Sequence, residues 1–282
     1  MEPVVKLPDR VRGADGPLGP FADRPLRTEV AMESTRPTRV DILGLTKRFR
    51  DVTAVDDVSL VIDAGTLLGI VGPTGSGKTT LLRLIAGLET PTAGEVRFNG
   101  EVVDRLPPNE RRVRMVFQQD TLYPHLRVYK DRGLSNLGFP LNLRRVTGER
   151  LRTAVDGIAS RVGITRRLYP RRPRQLSSGE RQKVAFGRAL ALPPRVLLLD
   201  EPFSSLDSVS RHRAQEELQR EHADHPVTTI HVTHSLSEAF ALADRIVVMD
   251  EGQVIQHGTP DDIRRRPANR LVRELVESSR SV

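Results

Sequence analysis

Nine consecutive residues, Gly72-Pro73-Thr74-Gly75-Ser76-Gly77-Lys78-Thr79-Thr80, constrain this chain more than any other stretch. They match GxxxxGK[ST], and both neighbours that give the pattern meaning are present. Before it, Leu67–Val71 is a nearly continuous apolar run, as expected of a strand buried on both faces. After it, Leu81, Leu82, Leu84, Ile85 and Leu88 recur at helical spacing over Thr79–Leu88, punctuated by Gly87 and Pro91. Glycines let such a loop wrap its backbone around phosphates, with N–H groups turned inward at a helix N-terminus where the dipole favours anions. Lys78 would neutralise β- and γ-phosphates, and the Thr79 hydroxyl would complete a Mg²⁺ shell.

A second stretch, Val196-Leu197-Leu198-Leu199-Asp200-Glu201-Pro202, ends an apolar strand in two acids. In open α/β sheets ligands bind at the carboxyl ends of the strands, so these carboxylates fall at the ligand edge. Asp200 can hold the Mg²⁺ shell, and Glu201 can polarise an attacking water. Alone, a buried strand capped by two solvated acids is commonplace. Behind a phosphate loop it reads as the second half of one site. Further strand signals are Val40, Ile42 and Leu45, then Val58, Leu60 and Ile62, a hairpin over Glu95–Val103 turning at Asn99-Gly100, and the runs Val227–Val232 and Ile246–Met249. Helical patterns fall around Ser208–His222 and Ser237–Ala243, and 125–190 reads mainly as helix broken by Pro140, Gly148, Pro170 and Pro173. This alternation predicts an α/β fold with a mainly parallel sheet and helices on both faces.

These two motifs suit many nucleotide hydrolases and kinases. Leu176-Ser177-Ser178-Gly179-Glu180-Arg181-Gln182, just upstream of the acidic strand, narrows the choice. Here the chain resembles the ATP-binding subunits of ABC transporters, whose signature reads LSGGQ followed by a basic helix. Physically it is a second anion site, a serine hydroxyl and glycine N–H at a helix start; by itself it would be an ordinary helix cap. The resemblance runs from about Val40 to Val276. It implies a P-loop NTPase with a RecA-like core, an antiparallel β subdomain and an inserted helical subdomain at about 125–190.

The resemblance also implies roles, position by position. Phe49 matches the aromatic on which adenine stacks. Gln118, with Gln119 as rival, matches the loop glutamine that joins Mg²⁺ and the attacking water to the membrane partner. In Ser204-Ser205-Leu206-Asp207, Asp207 matches the loop that crosses to the other subunit, and His234 matches the switch histidine at the γ-phosphate. Ser177, Ser178 and Gly179 would close over the γ-phosphate held by a partner subunit, either a second copy or a paired ATPase. Leu122-Tyr123-Pro124-His125 and the region from Gly258 to Arg270 look like the maltose-type sugar and polyamine importers. The implied function is an ATPase with ATP and Mg²⁺ as cofactors, peripheral on the cytoplasmic side of the membrane. Permease subunits would be its direct partners, a solute-binding protein an indirect one, and no specific nucleic acid is expected. Such ATPases usually continue into a regulatory β-domain, so a chain ending at Val282 is expected to lack that regulation or to be shortened.

Two departures stand out. Ser178 and Glu180 replace the usual glycine and glutamine of the signature, and Lys130–Ser135 looks like a short insertion after Val128-Tyr129. An altered signature keeps a non-hydrolysing binding module in view, against which Lys78, Asp200, Glu201 and His234 all count.

Composition removes other classes. Hydrophobic residues at 38% with 28% charged exclude a disordered chain or a channel. The longest aliphatic runs fall far short of the roughly 18 residues a membrane helix needs. Without cysteine there is no disulfide, thiolate metal site or cysteine nucleophile. No secretory signal is expected where acids and prolines interrupt the N-terminus. The net charge of +8 suggests a soluble ABC ATPase acting on nucleic acid or the ribosome as the rival reading. Its address argues otherwise: residues 141–175 hold ten basic and two acidic side chains, the whole of the excess. That patch fits a solvated helical face, anionic headgroups or permease loops better than DNA. Residues 1–38 read as a flexible Pro- and Gly-rich extension with Met32 as a possible internal start, 39–265 as the ATPase domain and 266–282 as a C-terminal tail.

Overall fold

The computed structural model describes residues 37–118 and 122–279. Strands β1 (Val40–Phe49), β2 (Val52–Ile62), β4 (Ala93–Phe98) and β5 (Glu101–Val102) form an antiparallel sheet in the order β2-β1-β4-β5. A second sheet is built from β3 (Leu67–Val71), β6 (Val113–Val116), β7 (Val196–Asp200), β8 (Thr228–Thr233), β9 (Arg245–Asp250) and β10 (Gln253–Gly258). Its order is β10-β9-β3-β8-β7-β6, parallel throughout except for the edge strand β10. The helices are α1 (Lys78–Ala86), α2 (Phe139–Leu143), α3 (Gly148–Arg161), α4 (Ser178–Leu190), α5 (Ser208–Asp224), α6 (Leu236–Leu242), α7 (Pro260–Arg265) and α8 (Arg270–Ser278). None is long and apolar enough to cross a membrane.

The apolar runs of β3 and β7 are continuous because both faces of this sheet are covered. Successive side chains alternate between the faces. Leu68, Ile70, Val196 and Leu198 join the core shared with α1 and the antiparallel sheet, alongside Leu81, Leu82, Leu84 and Ile85. Leu67, Val71, Leu197 and Leu199 join the opposite core, made with α3, α4 and α6. Each fully buried aliphatic side chain contributes about 1.5–3 kcal/mol, so α1 is fixed chiefly by these four. Because β8 lies between β3 and β7, three segments emerge at one edge of the sheet: the loop after β3, the acids ending β7 and His234 after β8.

Several expectations are corrected by the packing. Helix α1 stops at Ala86 because Gly87 adopts a left-handed conformation (φ 76°), so Leu88 lies outside it and is exposed. Residues 125–138 are not helical. Pro140 and Gly148 do not break helices but start them: Pro140 sits in the first turn of α2, where a missing N–H costs nothing, and Gly148 opens α3. The sequence pattern does not predict strands β6 and β10. The first has only four residues, and the second mixes Gln253, Gln256 and His257 into its apolar pattern on an exposed edge. The hairpin turns where it was expected, with Asn99 and Gly100 both at positive φ. Thr38, assigned to the extension, is instead buried, and its carbonyl accepts from the Thr228 hydroxyl; residues 1–36 lie outside the described residues. Beyond residue 266, α8 buries Val272 and Val276 in the same core as Ile263 of α7.

Candidate functional site

The phosphate loop is held from both sides. A side chain at Gly72 would place its Cβ 2.1 Å from the Met249 carbonyl oxygen, and one at Gly77 would lie 2.2 Å from that of Ala54. Gly77 also has φ 95°, a conformation L side chains avoid. As the residue before α1 it offers no side chain, and no side chain caps the helix. The first-turn N–H groups of α1 are therefore left for an anion. Lys78 is 5% exposed, and its ammonium donates to the carbonyls of Gly72 (2.9 Å) and Pro73 (2.7 Å) and to Ser76 Oγ (3.3 Å). Burial pushes its pKa down, while Glu201 and Asp200 pull it up. Thr74 and Gly75 are exposed at the loop tip and Thr80 is half-buried behind it.

The acids complete this edge. Thr79 Oγ1 donates to Asp200 Oδ1 at 2.9 Å. Burial raises the Asp200 pKa, and the Thr79 hydroxyl opposes the shift. Hydroxyl and carboxylate oxygens of this kind are the hard donors Mg²⁺ prefers, so the pair fits the ion the sequence implies. Glu201 sits at φ 45°, strained for a residue with a side chain, and its N–H is bonded to the Val232 carbonyl. Its Oε2 accepts from Gln118 Nε2 at 3.1 Å and meets His234 Nδ1 at 3.3 Å. Two residues from distant parts of the sequence, Gln118 and His234, thus converge on one carboxylate oxygen of Glu201. Gln119 lies outside the described residues.

The signature is elsewhere. No described hydrogen bond joins Ser177, Ser178 or Gly179 to the phosphate loop, Asp200, Glu201 or His234. Ser177 caps α4: its Oγ accepts from the Glu180 N–H at 3.2 Å, and the Glu180 carboxylate accepts from the Ser177 N–H at 2.9 Å. Ser178 and Gly179 occupy the first turn, and a Cβ at Gly179 would come no nearer than 3.8 Å to Ser210. Asp207, exposed, caps α5 through Ser210, whose hydroxyl and N–H hold its pKa down. Phe49 leaves the end of β1 with 43% exposure, with Lys47 Nζ 4.7 Å from its ring centroid.

Two supporting groups escape a reading of the sequence. His231 is completely buried in β8, its Nε2 2.6 Å from Glu238 of α6 and its ring 5.6 Å from that of Phe203. It ties the strand leading to His234 both to α6 and to the segment after Glu201. Arg111, 2% exposed, donates to the carbonyls of Leu84 and Ile85 at the C-terminal end of α1, and to those of Leu106 and Asp104. A histidine inside a strand of β-branched residues was the one available signal; Arg111 offered none.

The profile of the ABC transporter family matches residues 55–204. The chain is 42% identical over 245 residues to the trehalose/maltose import ATP-binding protein MalK of Thermococcus litoralis, covering 85% of this chain and 64% of that one. It is also 42% identical over 240 residues to the spermidine/putrescine import ATP-binding protein PotA of Bacteroides thetaiotaomicron, covering 85% and 50%. The chain thus spans only about half to two thirds of the length of these curated relatives. Among solved structures it is similar to the ATP-binding cassette MJ0796, described as dimeric, post-hydrolysis and bound to ADP and Pi. There the TM-score is 0.68 at 31% identity, over 78% of this chain and 98% of that one. With the profile covering more than half the chain, and the phosphate loop, paired acids and signature in the order and architecture just described, this protein belongs to the ABC transporter family.

Proposed function

We propose that the chain is an ATP-hydrolysing subunit that works as one of a pair and drives the permease subunits of an importer for sugars or similar small solutes. One observation carries the reading. Gln118 and His234 bracket the Glu201 carboxylate, one residue past the aspartate that holds Thr79. In this mechanism the open start of α1 and the loop N–H groups take β- and γ-phosphate oxygens. Lys78 exchanges its three loop acceptors for those oxygens and neutralises them. Thr79, Asp200 and Gln118 would hold Mg²⁺, which when bound withdraws charge from the phosphate oxygens. The exposed Phe49 ring offers adenine a flat apolar face. Glu201 orients the attacking water and accepts its proton, and His234 turns from Glu201 to the γ-phosphate. Ser177–Gly179 of the partner copy close the site, and the Asp207 loops cross between copies.

A groove of about 370 Å³ between β6, α2 and α4, close in sequence to Gln118, supports a permease side here. Arg114, Arg144 and Arg188 line it together with Tyr123 and Phe139. Burial lowers the pKa of Arg114, and Arg144 and Arg112 add like charge, so an acidic or carbonyl-rich permease segment is the complementary occupant. The subunit would then sit on the cytoplasmic face of the membrane through those permeases, with a solute-binding protein contacting them from the far side. The cargoes these relatives are named for, a disaccharide and a polyamine, share little chemistry, consistent with cargo choice lying outside this subunit. The test is Glu201→Gln. Turnover should fall about 10²-fold or more while MgATP binding persists, and an ATP-bound dimer should accumulate on size exclusion. Turnover near the parent rate would remove Glu201 from the chemistry.

A further inference from the structure

Two sequence features lie outside the nucleotide reading, the insertion Lys130–Ser135 and the arginine-rich stretch 141–175, and the fold brings them together. The insertion is a loop tied at its base. The N–H groups of Asn136 and Leu137 donate to the carbonyls of Arg127 and Val128 at 2.9 and 3.0 Å, and the Tyr129 N–H donates to the Tyr169 carbonyl at 3.0 Å. Beside this base lies a cavity of about 270 Å³. Arg127 and Lys130 reach it from the loop, and Arg152 and Arg166 from the arginine-rich stretch.

Two acids line it as well, Asp131 and Asp156, and the second is already engaged. Asp156 accepts from Arg166 at 2.8 Å and from the Tyr169 hydroxyl at 2.7 Å. Arg127, Lys130 and Arg152 make no ion pair or side-chain hydrogen bond among the described residues. Tyr129 also lines the cavity. Its side chain is 4% exposed, yet its hydroxyl has no hydrogen-bond partner among the described residues. A buried donor without an acceptor is costly and uncommon, and it asks what accepts from it.

We propose that this cavity binds a phosphoryl group. Three uncommitted cations, outnumbering the one further carboxylate, Asp131, converge with one phenol O–H on a space large enough for an anion with some of its water. A phosphoryl group presents three strong acceptor oxygens and up to two charges, whereas a carboxylate presents two oxygens and one charge. Arginine forks suit the phosphoryl geometry, and Lys130 adds a point charge. Burial pushes the Tyr129 pKa up, and the Asp131 carboxylate beside it adds to the shift both by its charge and as a nearby acceptor, which keeps the phenol a donor. A lipid headgroup and a soluble phosphate ester share this chemistry. None of these residues belongs to the nucleotide site, so the inference stands apart from the hydrolytic reading.

The experiment uses the full chain with its nucleotide site saturated by a non-hydrolysable MgATP analogue, so that the phosphate loop does not compete. Inorganic phosphate and glycerol 3-phosphate are titrated calorimetrically. In parallel, flotation is measured with phosphatidylcholine vesicles with and without phosphatidylglycerol. Arg152→Ala should weaken binding about tenfold and Arg152→Lys less. Tyr129→Phe should weaken it about three- to tenfold while leaving the melting temperature in phosphate-free buffer unchanged or higher, because it removes an unpaired buried donor. MgATP turnover should stay at the parent rate in every variant. Variant-sensitive binding of the free phosphates identifies a soluble ester as the source, and variant-sensitive flotation with phosphatidylglycerol identifies a headgroup; either supports the site. Absence of saturable binding to all probes overturns it, as does binding or flotation that Tyr129→Phe and Arg152→Ala leave intact.

Discussion

Helices α1 and α4 each begin at a glycine-containing turn where the sequence expects an anion, but the two starts are finished differently. At α1 the capping position is Gly77, no side chain covers the first-turn N–H groups, and the backbone around it is packed against Ala54 and Met249. At its other end Arg111 satisfies the last carbonyls, so the helix is braced at both termini. At α4 one of the corresponding donors, the Glu180 N–H, is already in use. Ser177 and Glu180 cap each other, and Arg171 lies 3.9 Å from the Glu180 carboxylate. One start is therefore preorganised to bind phosphate alone. The other keeps part of its start engaged in its own cap, and under the proposed function it acts only on the phosphate a second copy brings. Under the proposed function, the different finishing of two similar helix starts gives a physical basis for a site that binds nucleotide in one chain and completes itself in two.

Lys78→Ala tests the preorganised half most severely. It removes the one buried cation of the loop, and turnover at saturating MgATP should fall about 10²- to 10³-fold, the scale for losing a preorganised donor to transition-state charge. Phosphate release within a few-fold of the parent rate would mean that α1 is not the phosphate-binding start, and the contrast would collapse. Arg111→Met tests the bracing. Four carbonyls lose this donor inside the protein, and among the described residues only that of Leu84 keeps another, the Gly87 N–H, so stability should drop by about 3 kcal/mol, read from the denaturant midpoint, and nucleotide affinity should fall with it. An unchanged affinity in a folded variant would show that the C-terminal brace is irrelevant to the loop.

Those two residues also mark what the sequence could and could not reveal. Lys78 was legible because its whole context is local: a buried strand, a glycine turn and a helix within about twenty residues. The acids ending β7 were legible for the same reason. Arg111 was not, since its acceptors lie 26 and 27 residues away on α1 and a lone arginine carries no periodic signal. The buried His231–Glu238 pair was missed because a single histidine says nothing until its neighbours are known. Proline and glycine were read as breakers at Pro140 and Gly148, where they open helices instead; composition gives the position of a discontinuity but not its direction. The Glu180 acid was read as favourable in a first turn, and the structure adds that it is half of a reciprocal cap.

Ser177→Ala probes the conditional half. Loss of the cap should cost about 1 kcal/mol of stability, and MgATP binding to the single chain should not change, because Ser177 does not contact the phosphate loop. ATP-dependent dimer formation should weaken about fivefold. Equal losses in monomer binding and dimerisation would show that the two starts are not separable, and the comparison would have to be redrawn.

Glu180→Gln is the finest of these tests, since it keeps the shape of the cap and removes only its charge. The glutamine carbonyl can still accept from the Ser177 N–H, so the helix start should survive. What is lost is a negative charge in the first turn of α4, a few tenths to 1 kcal/mol of favourable dipole interaction, and a loose exposed pairing with Arg171 that contributes little. What is gained is relief from repulsion as the γ-phosphate of a second copy approaches, on the order of 1 kcal/mol per charge in water-like surroundings. The melting temperature of the monomer should therefore fall slightly, while the MgATP concentration that half-saturates dimer formation should fall about fivefold. If the melting temperature drops and dimerisation does not improve, the Glu180 carboxylate is only a cap, and the phosphate does not reach the start of α4.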